Sequence, residues 1–175
     1  MRFVAAAAAS MLAFGFGGAA ALAAAPTHQG SADGVLYAAE ITDGTVYIGD
    51  IKDPASTIAT FWHETDSLVD QVAVTKDHVA WAAGDDNSCI VNKVLIASKA
   101  KSAANITTVD LPGTGMVTAL AADATGDLVY ASVGDKIYAI NAKTGTYVTS
   151  LTHSSVSDIT WGLWVDGYNN RIYYC

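Results

Sequence analysis

The chain has 175 residues and a mass of 18.1 kDa, with 9 Lys+Arg against 17 Asp+Glu and a formal charge of −8. An acidic chain without a basic run cannot neutralise a phosphate backbone, which excludes nucleic acid as a partner. A hydrophobic fraction of 51% excludes bulk disorder, and two cysteines exclude a disulfide-dense mini-protein or an all-cysteine zinc site.

The chain opens with Met1-Arg2, then runs from Phe3 to Ala25 without a charge and closes on the Ala-rich stretch Ala19 to Ala25. A basic start, an apolar middle and a small-residue end are the parts of a secretory signal peptide. Residues 1–25 are therefore expected to be removed, with the cut near Ala23 or Ala24. The mature protein is expected outside the cell and not in a membrane. Residues 26–33 read as a linker, and 34–175 as one domain.

That domain reads as strands throughout. Short alternating or β-rich runs are separated by Gly, Asp and Asn. They are Gly34–Ala39, Thr45–Ile51, Thr57–Trp62, Val69–Thr75, Val79–Ala83, Ile90–Ile96, Ile106–Leu111, Val117–Ala122, Leu128–Val133, Lys136–Asn141, Tyr147–Thr152, Ile159–Val165 and Arg171–Tyr174. The connectors Asp43-Gly44, Gly134-Asp135 and Lys143-Thr144-Gly145 are hairpin chemistry.

A repeat selects the architecture. Val117-Thr-Ala-Leu-Ala-Ala-Asp123 followed by Leu128-Val-Tyr130 aligns with Thr160-Trp-Gly-Leu-Trp-Val-Asp166 followed by Arg171-Ile-Tyr173. Earlier copies lie at 70–83 and 34–39, so Tyr37, Trp81, Tyr130 and Tyr173 align. The period is close to the ~40–45 residues of a propeller blade. The fold class expected is all-β: a partial, open β-propeller of about three to three-and-a-half four-stranded antiparallel meanders. The four aromatics are expected to pack between blades, and the innermost strand of each repeat to be the most buried. An open blade series ends on an unpaired edge, through which the chain could self-associate. Three readings of the blade number stand: a truncated product, a ring completed by two chains, or a smaller non-propeller β fold.

Chemistry is expected on the end of the domain that carries the second-to-third-strand hairpins and the links between blades. Glu40, Asp85, Asp86, Asn87 and Asp158 fall there, and clustered oxygens are what Ca²⁺ takes. Asp, Asn and Gly are equally the residues of tight turns. His63-Glu64 lacks the second His of a zincin motif, and no Gly-x-Ser-x-Gly elbow occurs. His153, Ser154 and Asp158 have triad residue types without any implied triad geometry. No catalytic residue is assigned. Asp123 and Asp166 recur at one position of the repeat, which points to a structural hydrogen bond. Asn105-Ile106-Thr107 is an N-glycosylation acceptor. Cys89 and Cys175 fall two blades apart, so no bridge between them is expected.

Residues 160–175 resemble the YWTD repeat of low-density-lipoprotein-receptor-type propellers. Gly162, Leu163, Val165, Asp166, Ile172 and Tyr173 fit it, while Tyr174 and Cys175 replace the family's Trp and Thr. NHL and SMP-30/gluconolactonase propellers share the Gly-Leu-x-x-Asp pattern, and residues 135–147 resemble one repeat of the pyrroloquinoline-quinone propellers. The resemblance specifies fold more than function. The function expected is a secreted, non-catalytic binding module for a protein or glycan, and the alternative is an SMP-30/gluconolactonase-like metal-dependent lactone hydrolase. Against the latter, Trp161 and Thr118 stand where that family has Asn, so its metal ligands do not carry over.

Overall fold

A computed structural model of the chain describes residues 28–30, 34–40, 43–50, 52, 58–65, 67–85, 90–100, 102–112, 115–152 and 162–175. The expected signal peptide at 1–25 lies outside the described residues. All the regular elements are strands: β1 (His28–Gly30), β2 (Val35–Glu40), β3 (Thr45–Asp50), β4 (Ala59–His63), β5 (Ser67–Val74), β6 (His78–Asp85), β7 (Ile90–Ser98), β8 (Thr107–Asp110), β9 (Val117–Ala122), β10 (Leu128–Val133), β11 (Lys136–Asn141), β12 (Thr146–Thr152), β13 (Leu163–Asp166) and β14 (Arg171–Tyr174). They form antiparallel sheets in strict chain order: β1-β2-β3-β4, then β5-β6-β7-β8, then β9-β10-β11-β12, then the pair β13-β14.

The expected strands match these elements to within a few residues at each end. The exception is β1. Its three residues fall inside the segment read as a linker, and they pair with β2 through His28↔Ala38 and Gly30↔Leu36. His-Gln-Gly has neither alternation nor β-branching, so nothing local marks it as a strand. Its partner strand makes it one.

The sheets stack face to face in series. The first strands of successive sheets are neighbours, β1 against β5, β5 against β9 and β9 against β13. The fourth strands lie outermost: β12 and β8 are mostly exposed, whereas β9 is buried at all but one position. Two apolar seams hold the stack. Between the first and second sheets lie Tyr37, Val46, Phe61, Val69, Val79, Trp81 and Leu95. Between the second and third lie Ala80, Val94, Ile96, Leu120, Val129, Ala131, Tyr138 and Ile140.

The aromatic positions are not equivalent. Trp81 is fully buried and faces the first sheet, where Phe61 meets it edge-on at 5.8 Å and Tyr37 meets Phe61 at 5.2 Å. On β10 the residues facing the second sheet are Val129 and Ala131, so Tyr130 points the other way. The turn bond from Thr75 N to His78 O repeats as Asp123 N to Leu128 O, which aligns Ala80 with Tyr130 and Trp81 with Ala131. The repeat alignment is therefore one residue out at Trp81. A shift of one inverts the face. Tyr130 is half-buried, and Tyr173, at 46% exposure, faces open space in the last sheet. Leu163 and Val165 are also only half-buried, because β13 has one neighbouring sheet among the described residues.

Candidate functional site

The antiparallel registers carry one set of connections to one end of the stack. These are the β2–β3 turn at Asp43-Gly44, the β4–β5 link through Glu64 and Thr65, the end of β6 at Gly84-Asp85, and the β10–β11 turn at Gly134-Asp135. Gly44 has φ 63°, and a Cβ there would lie 2.7 Å from the Glu64 carbonyl oxygen and collide with that of Ser67. Only glycine lets the hairpin of the first sheet close against the link to the second. Glu64 N donates to Gly44 O at 3.4 Å, and Ser67 Oγ donates to Gly84 O at 3.0 Å.

That junction overhangs a groove of about 300 Å³ on the second sheet, lined by Glu64 and Thr65 of the link and by Ser67, Gly84, Lys93 and Thr108 of β5 to β8. Its floor is Ala83 and Leu95. Both charges, three hydroxyls and an apolar floor thus meet in one open cleft. Lys93 and Thr108 are misses of the sequence reading. Lys93 lies opposite Asp110 across the β7–β8 pair, and only that pairing brings the outer strands to the cleft.

The expected metal set is only partly in view. Glu40 ends β2, half-buried, and Asp85 ends β6 in the next sheet at the same end of the stack. Asp86, Asn87 and Asp158 lie outside the described residues, as do His153, Ser154 and Cys89. Among the described residues no three His, Cys, Asp or Glu side chains gather as a metal site would require. A close hydroxyl–imidazole pair does exist, Thr45 Oγ1 and His63 Nδ1 at 2.9 Å. Thr45 is only 3% exposed, so the pair ties β3 to β4 and offers no hydroxyl to a substrate.

Two separate polar features lie near the inner strands. β5 bulges between Val69 and Val72, setting Asp70 and Gln71 out of the ladder, and β9 is irregular opposite Ser132 and Val133. Burial pushes the Asp70 carboxyl up, outweighing the opposing Gln71 hydrogen bond. Thr118 and Ser132 share a hydroxyl bond of 2.9 Å. The signal for Asp70 was visible as a break in the apolar run from Val69 to Val74, where a bulge re-aims side chains.

The recurring aspartates are turn residues. Asp123 Oδ1 accepts from Thr125 N at 2.9 Å and Thr125 Oγ1 at 2.7 Å. Asp166 accepts from Asn169 N at 3.1 Å and Asn169 Nδ2 at 2.6 Å, and these bonds hold its carboxyl below the usual range. Asn105 is exposed with φ 50°, just before β8. Cys175 is a free, exposed thiol beyond β14.

No protein-family model matches the chain, and no curated protein matches its sequence. Its fold does resemble solved structures. One is a chain in the crystal structure of a mitotic checkpoint complex, at TM-score 0.59 and 12% identity, over 79% of this chain and 39% of the other. The chain therefore spans well under half of that protein. The likeness is one of fold. With the sheet order it establishes an all-β partial propeller, with three four-stranded blades and the inner pair of a fourth among the described residues.

Proposed function

We propose that the chain is a secreted, non-catalytic binding propeller that takes a protein segment in the groove on its second blade, beneath the link from the first. The observation that carries this reading is the groove itself. Glu64 and Lys93 bring opposite charges to its lining, hydroxyls at Thr65 and Thr108 offer donors and acceptors, Ser67 Oγ, its proton given to Gly84 O, offers an acceptor, and Ala83 and Leu95 form an apolar floor. A peptide backbone with one apolar side chain and a charge at either end uses all three. The leader-like residues 1–25 support secretion. Gly162, Leu163, Val165, Asp166, Ile172 and Tyr173 support kinship with the YWTD and NHL propellers.

The test is a peptide-library screen with the mature chain. Selected peptides should lose at least tenfold in affinity to Lys93→Glu and to Glu64→Lys, with thermal unfolding unchanged. Glycan-array binding indifferent to both substitutions would replace the peptide with a sugar. Lactone turnover dependent on added Ca²⁺ and on Glu40 would overturn the non-catalytic reading in favour of the hydrolase.

A further inference from the structure

Among the described residues, the two ends of the blade series carry matching uncovered faces. Within the chain, each sheet's forward face packs on the backward face of the next. The backward face of the first sheet has no such partner among the described residues. It forms an open apolar trough of about 510 Å³ along Leu36, Ala38, Tyr47, Gly49 and Ile58, with Ile58 71% exposed. At the other end, the forward face of the last sheet presents Trp164 and Tyr173, cross-strand partners whose rings lie 5.2 Å apart and which are 60% and 46% exposed. Isolated exposed apolar residues are ordinary, but contiguous ones on both end faces of a stack mark contact surfaces.

We propose that a second copy of this chain covers both faces, each copy's Trp164–Tyr173 face seated on the other's Leu36–Ala38–Tyr47 trough, closing a two-copy ring. The first argument is continuity with the contacts inside the chain. In the seam between the first two blades, Tyr37 on the forward face of the first sheet is buried against the backward face of the second. Tyr173 stands at the matching place on the second strand of the last sheet, and with Trp164 it would repeat that contact on the trough in the same stacking direction. The second argument is closure. Head-to-tail contacts give either a ring or a filament. The inner strands among the described residues, β1, β5, β9 and β13, make eight positions round an axis in two copies, at the top of the roughly 4–8 blades of closed propellers. The third is area: closure uses two such contacts per dimer, each covering the exposed half of two aromatics whose complete burial is worth about 150–250 Å² apiece.

The test is analytical ultracentrifugation of the mature chain. The expected species has twice the monomer mass. Trp164→Glu and Ala38→Glu should each yield monomer with unchanged far-UV circular dichroism, as expected for substitutions outside the two buried seams. An equimolar mixture of the two variants should recover dimer, because one intact face remains on each. A monomeric parent chain would overturn the proposal. So would a dimer that survives Trp164→Glu, which would mean pairing through another surface, and so would polymers growing with concentration. Peptide binding in the groove is read separately and stands or falls on Lys93 and Glu64.

Discussion

Single residues set the junctions between blades. Gly44 is at φ 63° with the Glu64 carbonyl oxygen 2.7 Å from where a Cβ would stand, so Gly44→Ala should destabilise by more than the ~1 kcal/mol of an ordinary misplaced alanine. Urea unfolding measures it, and a groove that loses peptide binding at the same time would tie the turn to the site. Asp166 bears on acid stability. Its pKa is lowered chiefly by the Asn169 hydrogen bonds, so its contribution is complete above the ~3.9 of an unfolded aspartate and is lost as pH falls through its lower folded-state value. Asp166→Asn should flatten the acid limb of β13–β14 amide protection measured by NMR. Asp70 has the opposite sign. Burial raises its pKa, so stability declines as pH rises from the ordinary aspartate value through the raised one, and Asp70→Asn should remove that decline in a series of melting curves.

At the level of strands, burial ranks tolerance. β9 is the most enclosed inner strand of the third blade, and Leu120 sits in the seam at 7% exposure, so Leu120→Ala should cost about 2–5 kcal/mol by denaturant titration. Val148 on the outer strand β12 is 57% exposed, and Val148→Thr should fall within about 0.5 kcal/mol of the parent. Outer strands nevertheless join blades at their turns. Gly145, at φ 66°, closes the β11–β12 hairpin directly against Thr107 of β8, and a Cβ there would collide with the Thr107 methyl. Thr107 also completes the Asn105 acceptor. Expression in a eukaryotic secretory host should add a glycan at Asn105, read as a mass loss on glycosidase treatment, and Asn105→Gln should abolish it.

For the whole molecule, two buried apolar seams hold the stack among the described residues, and no described residue covers its two end faces. Because blades contact only their neighbours, damage to one seam should spread poorly to the other. Trp81→Ala empties the seam between the first two blades, where the indole stands 5.4 Å from Trp62 as well as against Phe61. It should cost about 3–5 kcal/mol and expose the first blade in hydrogen exchange before the third. Uniform loss of protection across all blades would show a single cooperative unit instead.

Strand positions were legible in the chain because period-two patterning and Gly, Asp and Asn turns are local signals. The boundaries of β9, β10, β11 and β14 follow from them directly. The turn role of Asp123 and Asp166 was legible for the same reason: each bonds only within the next few residues. Three things were not local. β1 exists only because β2 offers it a ladder. The direction of Trp81 depends on a register in which one residue inverts the face. The groove joins Glu64 to Lys93 and Thr108 across strands whose pairing no short segment encodes. Periodicity tells a residue that it alternates, and only the neighbouring sheet decides which side is inside.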